Sequence, residues 1–182
     1  MGMPLFKEQK KAEKEVQQKR IVSFLVSQKE YAIDIHFINE IIYSKTVSSL
    51  PGASDYIEGI IDLRGKVIPL INLKKRLKLA SAESVLSEHV LVVDISGRKY
   101  GLIVDQVLQV ITVEEHQIQM TEKFMERAAP YLQGVCRFRD RLILLLDLER
   151  LWSAEDISAI DSTLNRTTPE QEASSSSDQG DK

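Results

Sequence analysis

The chain has 182 residues, 43% of them apolar and 28% charged, with a formal net charge of −3. That length builds one domain or two small ones around a real core, and the acidic balance excludes the basic surplus of a typical nucleic-acid binder. The single cysteine, Cys136, excludes an intramolecular disulfide framework and fits a reducing, cytoplasmic setting.

The first residues read as a charged N-terminal arm over 1–19. The segment LFKEQKKAEKEVQQKR is rich in Lys, Glu and Gln and has almost no apolar face. After Met1-Gly2-Met3-Pro4 the chain turns polar, unlike a secretory signal. Phe6 stands where a myristoylation motif wants Ser or Thr. No run of about 18 uninterrupted apolar residues appears, so no transmembrane helix is expected.

Short Val/Ile-rich runs broken by turn residues then predict strands. In the first half these fall at 20–27, 30–34, 43–49, 57–64 and 66–72. Asp34–Ile42 breaks the alternation. Ile35, Ile38 and Ile42 recur at helical spacing behind Asp34, a candidate cap, so a turn or two of helix is expected there. Pro69 cannot donate to a ladder and is expected at an edge or bulge. In the second half, strands are predicted at 88–96, 99–105, 107–113, 132–138 and 141–147. Arg64-Gly65 and Arg139-Asp140 read as tight hairpin corners, with Gly65 able to take a positive φ. Asn72 and Asp147 can cap the short helices KKRL and ERLW. The Ser-, Asp- and Gln-rich end, 161–182, reads as a disordered tail.

The middle of the chain repeats itself. Ile21–Ile35 aligns with Val90–Val104 through Tyr31 and Tyr100, and Tyr56–Leu77 aligns with Tyr131–Trp152 through Tyr, Gly and the central Arg. Two matches in the same order indicate a tandem duplication of roughly 70 residues. Five short, twisted strands close readily into a small barrel. The fold class expected is mainly β. It consists of two tandem five-stranded SH3-like barrels with short connecting helices, one over about 20–80 and the other over about 86–152, with the chain ends packing across.

No residue constellation carries catalysis. Neither a G-x-G-x-x-G nor a P-loop pattern is present. His36, His89 and His116 lack metal-ligand spacing with one another or with Cys136. Cys136 reads as a small core residue, with Arg137 sent to the opposite face of the strand. Glu114-Glu115 and Glu155-Asp156 read as solvated neighbours, and no acid, base and nucleophile assemble. No enzyme activity, metal or cofactor is therefore expected. Two charges stand out on apolar surroundings: Glu40, among Ile38, Ile41 and Ile42, and Arg64, at its hairpin corner. They read either as two unrelated solvated charges or as an ion pair at a binding surface.

The segment EYAIDIHFINEII followed by LPGASDYIEGIIDLRGKVIPLINLKKRL resembles the CheW-like family of bacterial chemotaxis coupling proteins, over roughly residues 20–155. The resemblance implies two SH3-like barrels and a scaffold without catalytic activity or cofactor. It implies a cytoplasmic adaptor, recruited to membrane-associated arrays without inserting in the bilayer. The implied partners are the cytoplasmic tip of a methyl-accepting chemoreceptor and the regulatory domain of the kinase CheA. It assigns Glu40 and Arg64 to an ion pair near the receptor-facing surface. It also places Ile35, Ile38, Gly59, Gly101 and Val110 in or beside a groove that takes the receptor's helical hairpin. A CheV-type regulatory module is the nearest alternative. A small-barrel nucleic-acid module is a further one, but with 6% aromatic residues and a negative charge the chain lacks a basic, aromatic face.

Overall fold

The structure, a computed structural model, describes residues 18–43, 46–79, 89–119, 130–152, 157–158 and 160–162. The arm up to residue 17, Glu155-Asp156 and the tail from residue 163 lie outside the described residues. The described elements include β1 (Gln18–Val26), β2 (Lys29–Asp34), β3 (Ile38–Tyr43), β4 (Ile57–Leu63), β5 (Lys66–Asn72), α1 (Leu73–Arg76), β6 (His89–Ile95), β7 (Arg98–Val104), β8 (Gln106–Glu114), β9 (Ile118–Gln119), β10 (Leu132–Phe138) and β11 (Arg141–Leu146), with helical residues again at 157–158 and 160–162. The fold is mainly β, as the sequence predicts.

The strands form two sheets. One has six strands in the order β8-β1-β2-β11-β10-β9, and the other has five in the order β3-β6-β7-β5-β4. The sheets correct the expected partition at about 80–86. The hairpin β1–β2 of the first half joins β8 to β11 of the second, while β6–β7 of the second half joins β3 to β5 of the first. The two halves exchange their opening hairpins. The physical cause is the parallel seam: β2 pairs with β11, and β7 with β5.

Apolar alternation fills three cores. Ile21, Ile111, Val113, Cys136, Ile143 and Leu145 pack inside the six-stranded sheet. Ile42, Ile61, Leu63, Ile68, Leu70, Val90 and Val92 pack inside the five-stranded one. The opposite faces meet in a larger shared core, where Phe24, Val26 and Ile33 from one sheet touch Leu91, Val93 and Leu102 from the other. Each fully buried aliphatic side chain in these layers contributes about 1.5–3 kcal/mol. The sheets are therefore welded together rather than strung on a linker. Lys74 on α1 adds a polar tie, reaching Asp105 at 2.6 Å.

The predicted strand at 43–49 is corrected to Ile38–Tyr43, and the predicted helix shrinks to a 3-10 turn, Ile35–Phe37. Asp34 does cap it, accepting from the His36 N–H at 3.0 Å. A β-bulge between Ile38 and Glu40 then shifts the alternation by one residue. Turn plus bulge mimics helical spacing in a segment that is mostly strand. In the expected 43–49 region, the described pairing is a single bridge, Ser48 with Ile60.

Pro69 sits in β5, a strand with neighbours on both sides. Its ladder to β7 starts only at Leu70, so no donor is missed on that side. Toward β4 it faces Ile60, whose own N–H and C=O go to Ser48. Asn72 caps α1, accepting from the Lys75 N–H at 3.2 Å, and Asp147 caps the matching turn after β11.

Candidate functional site

The bulge that corrects the secondary structure also builds the site. Ile38 pairs with Val93 and packs on the shared core, whereas Glu40 pairs with Val92 and turns toward the interior of the five-stranded sheet. Without the extra residue Glu40 would point the other way. Re-aiming one side chain is a recurrent use of bulges.

Arg64 is set by its turn. Arg64 and Gly65 both have positive φ, 56° and 77°, and Asp62 closes the corner by accepting from the Gly65 N–H at 2.9 Å. This hairpin geometry stands the Arg64 side chain out beyond the end of β4. Its Nη2 reaches Glu40 Oε2 at 3.1 Å. Glu40 lies on β3 and Arg64 follows β4, the two edge strands of one sheet. The sheet thus curls until its edges meet across an ion pair. Arg64 is 80% exposed and Glu40 24%, so the pair adds little to stability, at most about 1 kcal/mol.

Beside the pair lies an open cavity of about 520 Å³. Leu63 and Ile68 form its apolar floor, and Asn39, Lys66 and Lys99 complete its rim. Lys99 donates to the Asn39 side-chain carbonyl at 2.7 Å. Neither Lys66 nor Lys99 stands out in the sequence taken alone. The signal was present in the repeat, which aligns Lys99 with Glu30 and Lys66 with Arg141.

The other expected site residues are placed as follows. Ile35 is half-buried on the 3-10 turn, and Ile38, also half-buried, starts β3. Gly59 is buried, with φ of 150°, and a Cβ there would lie 2.3 Å from the Ser48 carbonyl oxygen. Gly101 is buried between Leu70 and Val90, whose side chains would meet its Cβ at 2.4 and 2.8 Å. Packing requires both glycines. Val110 stands half exposed on β8, the edge of the six-stranded sheet, opposite Val22. By the repeat it matches Ile41, which is also exposed on β3. Of the seven residues, Glu40 and Arg64 are brought into direct contact.

Burial pushes the Asp34 carboxyl up, but hydrogen bonds from His36 and the nearby Lys19 ammonium outweigh it and hold the group below its ordinary value. The Lys75 ammonium, above all, holds Glu58 low, with Asn72 adding to it against burial. Burial pushes the Cys136 thiol up, the opposite of what a reactive thiolate needs. Among the described residues no three His, Cys, Asp or Glu gather as metal ligands, and no helix is long and apolar enough to cross a membrane.

The described residues thus form a double-sheet β module with a charged contact between the edges of one sheet. The chain belongs to the CheW-like domain family, whose model matches residues 20–156. It is 30% identical over 149 residues to the chemotaxis protein CheW of Treponema pallidum, covering 79% of this chain and 88% of that protein. It is 32% identical over 141 residues to the CheW of Klebsiella aerogenes, covering 76% and 84%. The crystal structure of the scaffolding protein TtCheW from Thermoanaerobacter tengcongensis superposes with a TM-score of 0.71 at 31% identity, covering 77% of this chain and 96% of that one.

Proposed function

We infer that the chain is a chemotaxis adaptor. It couples the cytoplasmic tip of a methyl-accepting chemoreceptor to the regulatory domain of CheA, acts without catalysis or cofactor, and works in the cytoplasm at receptor arrays. Family membership over residues 20–156 supports the adaptor role. The observation that carries the site is the Glu40–Arg64 contact at 3.1 Å. It is too exposed to serve stability, yet a bulge and a left-handed corner are both needed to make it. Such a pair suits recognition geometry better than fold strength. In this reading Ile35, Ile38 and Val110 give apolar contact to a receptor helix, as helix-in-groove docking requires. Gly59 and Gly101 keep the neighbouring strands close.

Co-purification of the full chain with a chemoreceptor cytoplasmic fragment and CheA tests this, with kinase activation as the readout. A ternary complex with raised kinase activity is expected. No complex at equal folded concentration would overturn it. A salt titration separates it from nucleic-acid binding, which weakens steeply with salt.

A further inference from the structure

The duplication supplies an internal control for the cavity beside Glu40 and Arg64. In the six-stranded sheet, Arg141 makes two bonds of 3.2 Å to the nearly buried carboxylate of Glu30. The repeat puts Lys66 at the place of Arg141 and Lys99 at the place of Glu30. The half-buried ion pair of one sheet is thus a pair of lysines in the other. Both lysines line the cavity; Lys99 bonds the Asn39 side chain rather than a carboxylate, and its cross-strand neighbour is Asp94. With Arg64 they put three cations in the lining against one carboxylate there, Glu40, which Arg64 already engages; Asp94, outside the lining, stands across the strand pair from Lys99. Like charges beside a low-dielectric apolar floor repel, and an incoming anion relieves that repulsion.

We propose that this cavity is an anion pocket for a carboxylate side chain, Glu or Asp, presented by the partner helix. Arg64, Lys66 and Lys99 receive it, while Glu40 keeps the Arg64 guanidinium aimed at the rim. Lys99 on Asn39 is held ready at 2.7 Å. The proposal rests on the adaptor reading for the identity of the partner, not for the existence of the pocket. A carboxylate held by guanidinium and ammonium groups gains charge-assisted hydrogen bonds that a neutral side chain lacks.

The decisive variant is Lys99→Glu, which installs in the five-stranded sheet the carboxylate that the other sheet carries at Glu30. Its carboxylate can pair with Lys66 but lies across from Asp94, so a thermal melt checks the fold and the uncharged Lys99→Gln, expected to weaken the same shifts and binding, is measured beside it. A titration of the full chain with sodium glutarate at constant ionic strength, followed by amide NMR shifts, reads the pocket alone. Saturable shifts confined to the surroundings of Asn39, Arg64, Lys66 and Lys99 are expected, and they vanish in Lys99→Glu. Absence of saturable shifts in the unmodified chain overturns the pocket. Against the receptor fragment, Lys99→Glu is expected to weaken binding about tenfold and Lys66→Gln about threefold. Unchanged affinity in a folded Lys99→Glu overturns the proposal while leaving the adaptor reading standing. Failure of the unmodified chain to bind the fragment defeats the adaptor reading, and the glutarate titration then decides the pocket by itself.

Discussion

The two hairpin corners of this molecule began as copies and no longer do the same thing. Arg64 and Arg139 occupy equivalent corners with nearly the same left-handed backbone, φ of 56° and 55°. Arg64 reaches across its sheet to Glu40. Arg139 lies over the Phe138 ring at 5.3 Å, and Glu40's equivalent is Gln109, which has no charge to offer. The neighbouring position is reversed. Arg141 is paired with the nearly buried Glu30, whereas its equivalent Lys66 faces the open cavity together with Lys99. The corner arginine is therefore explained by the turn in both copies. Among the described residues, it is the copy in the five-stranded sheet that joins an ion pair beside an open cavity. Shared backbone geometry accounts for where a residue stands, and the side chains around it decide what it is for.

The largest expected break of this comparison is between the two repeat glycines. Gly59 has a strained φ and a carbonyl oxygen 2.3 Å from where a Cβ would sit, while the Gly134 position lies 2.8 Å from the Gln119 carbonyl with no positive φ. Gly59→Ala is expected to cost about 3 kcal/mol and Gly134→Ala about 1 kcal/mol in denaturant melts. Equal costs would show that strain and close approach do not separate the two copies.

Next come the two arginines. Arg141→Ala strands the Glu30 carboxylate, only 9% exposed, and is expected to lose about 1–3 kcal/mol. Arg64→Ala breaks an exposed pair and is expected to lose less than about 1 kcal/mol. The same melts check both, and a larger loss at Arg64 reverses the assignment of structural and functional arginine.

A charge swap sharpens the pairing itself. Glu40→Arg alone is expected to weaken coupling in the kinase assay, and adding Arg64→Glu is expected to restore part of it. No restoration in the double variant means that position, not pairing, is what the partner reads.

The smallest effect is acid sensitivity. Glu58 and Asp34 both have folded pKa values below their ordinary ones. Their contribution is fully present above the ordinary carboxylate value and is lost as pH falls below it toward the folded value. A melt series from neutral pH down through pH 4.5, the ordinary value for Glu, is expected to be flat above that pH and to decline below it. Glu58→Gln is expected to soften the decline, and an unchanged slope contradicts the role given to Lys75.

Much of this was legible in the sequence because period-two patterning and turn chemistry are local. The duplication, most strand positions, both arginine corners and the caps at Asn72 and Asp147 follow from neighbouring residues. The exchange of hairpins between sheets was not legible. A parallel seam between β2 and β11 leaves no local mark, since either partition buries the same alternating faces. Strand β3 reads as helix in the sequence because a 3-10 turn followed by a bulge reproduces the Ile35, Ile38, Ile42 spacing. The pair Glu40 and Arg64 was suspected from charge on apolar surroundings, and the structure puts them in contact. Lys66 and Lys99 are not legible from their neighbours, since a surface lysine is ordinary until it is set against its repeat equivalent, Arg141 or Glu30.

The most direct test of the central claim is Arg64→Ala, read in two ways on one preparation. The account predicts a melting temperature within a few degrees of the unmodified chain, the shift that about 1 kcal/mol or less gives, together with a clear loss of receptor-dependent kinase activation per folded molecule. A large drop in melting temperature with activation per folded molecule unchanged would contradict it and make Arg64 a residue of the fold alone.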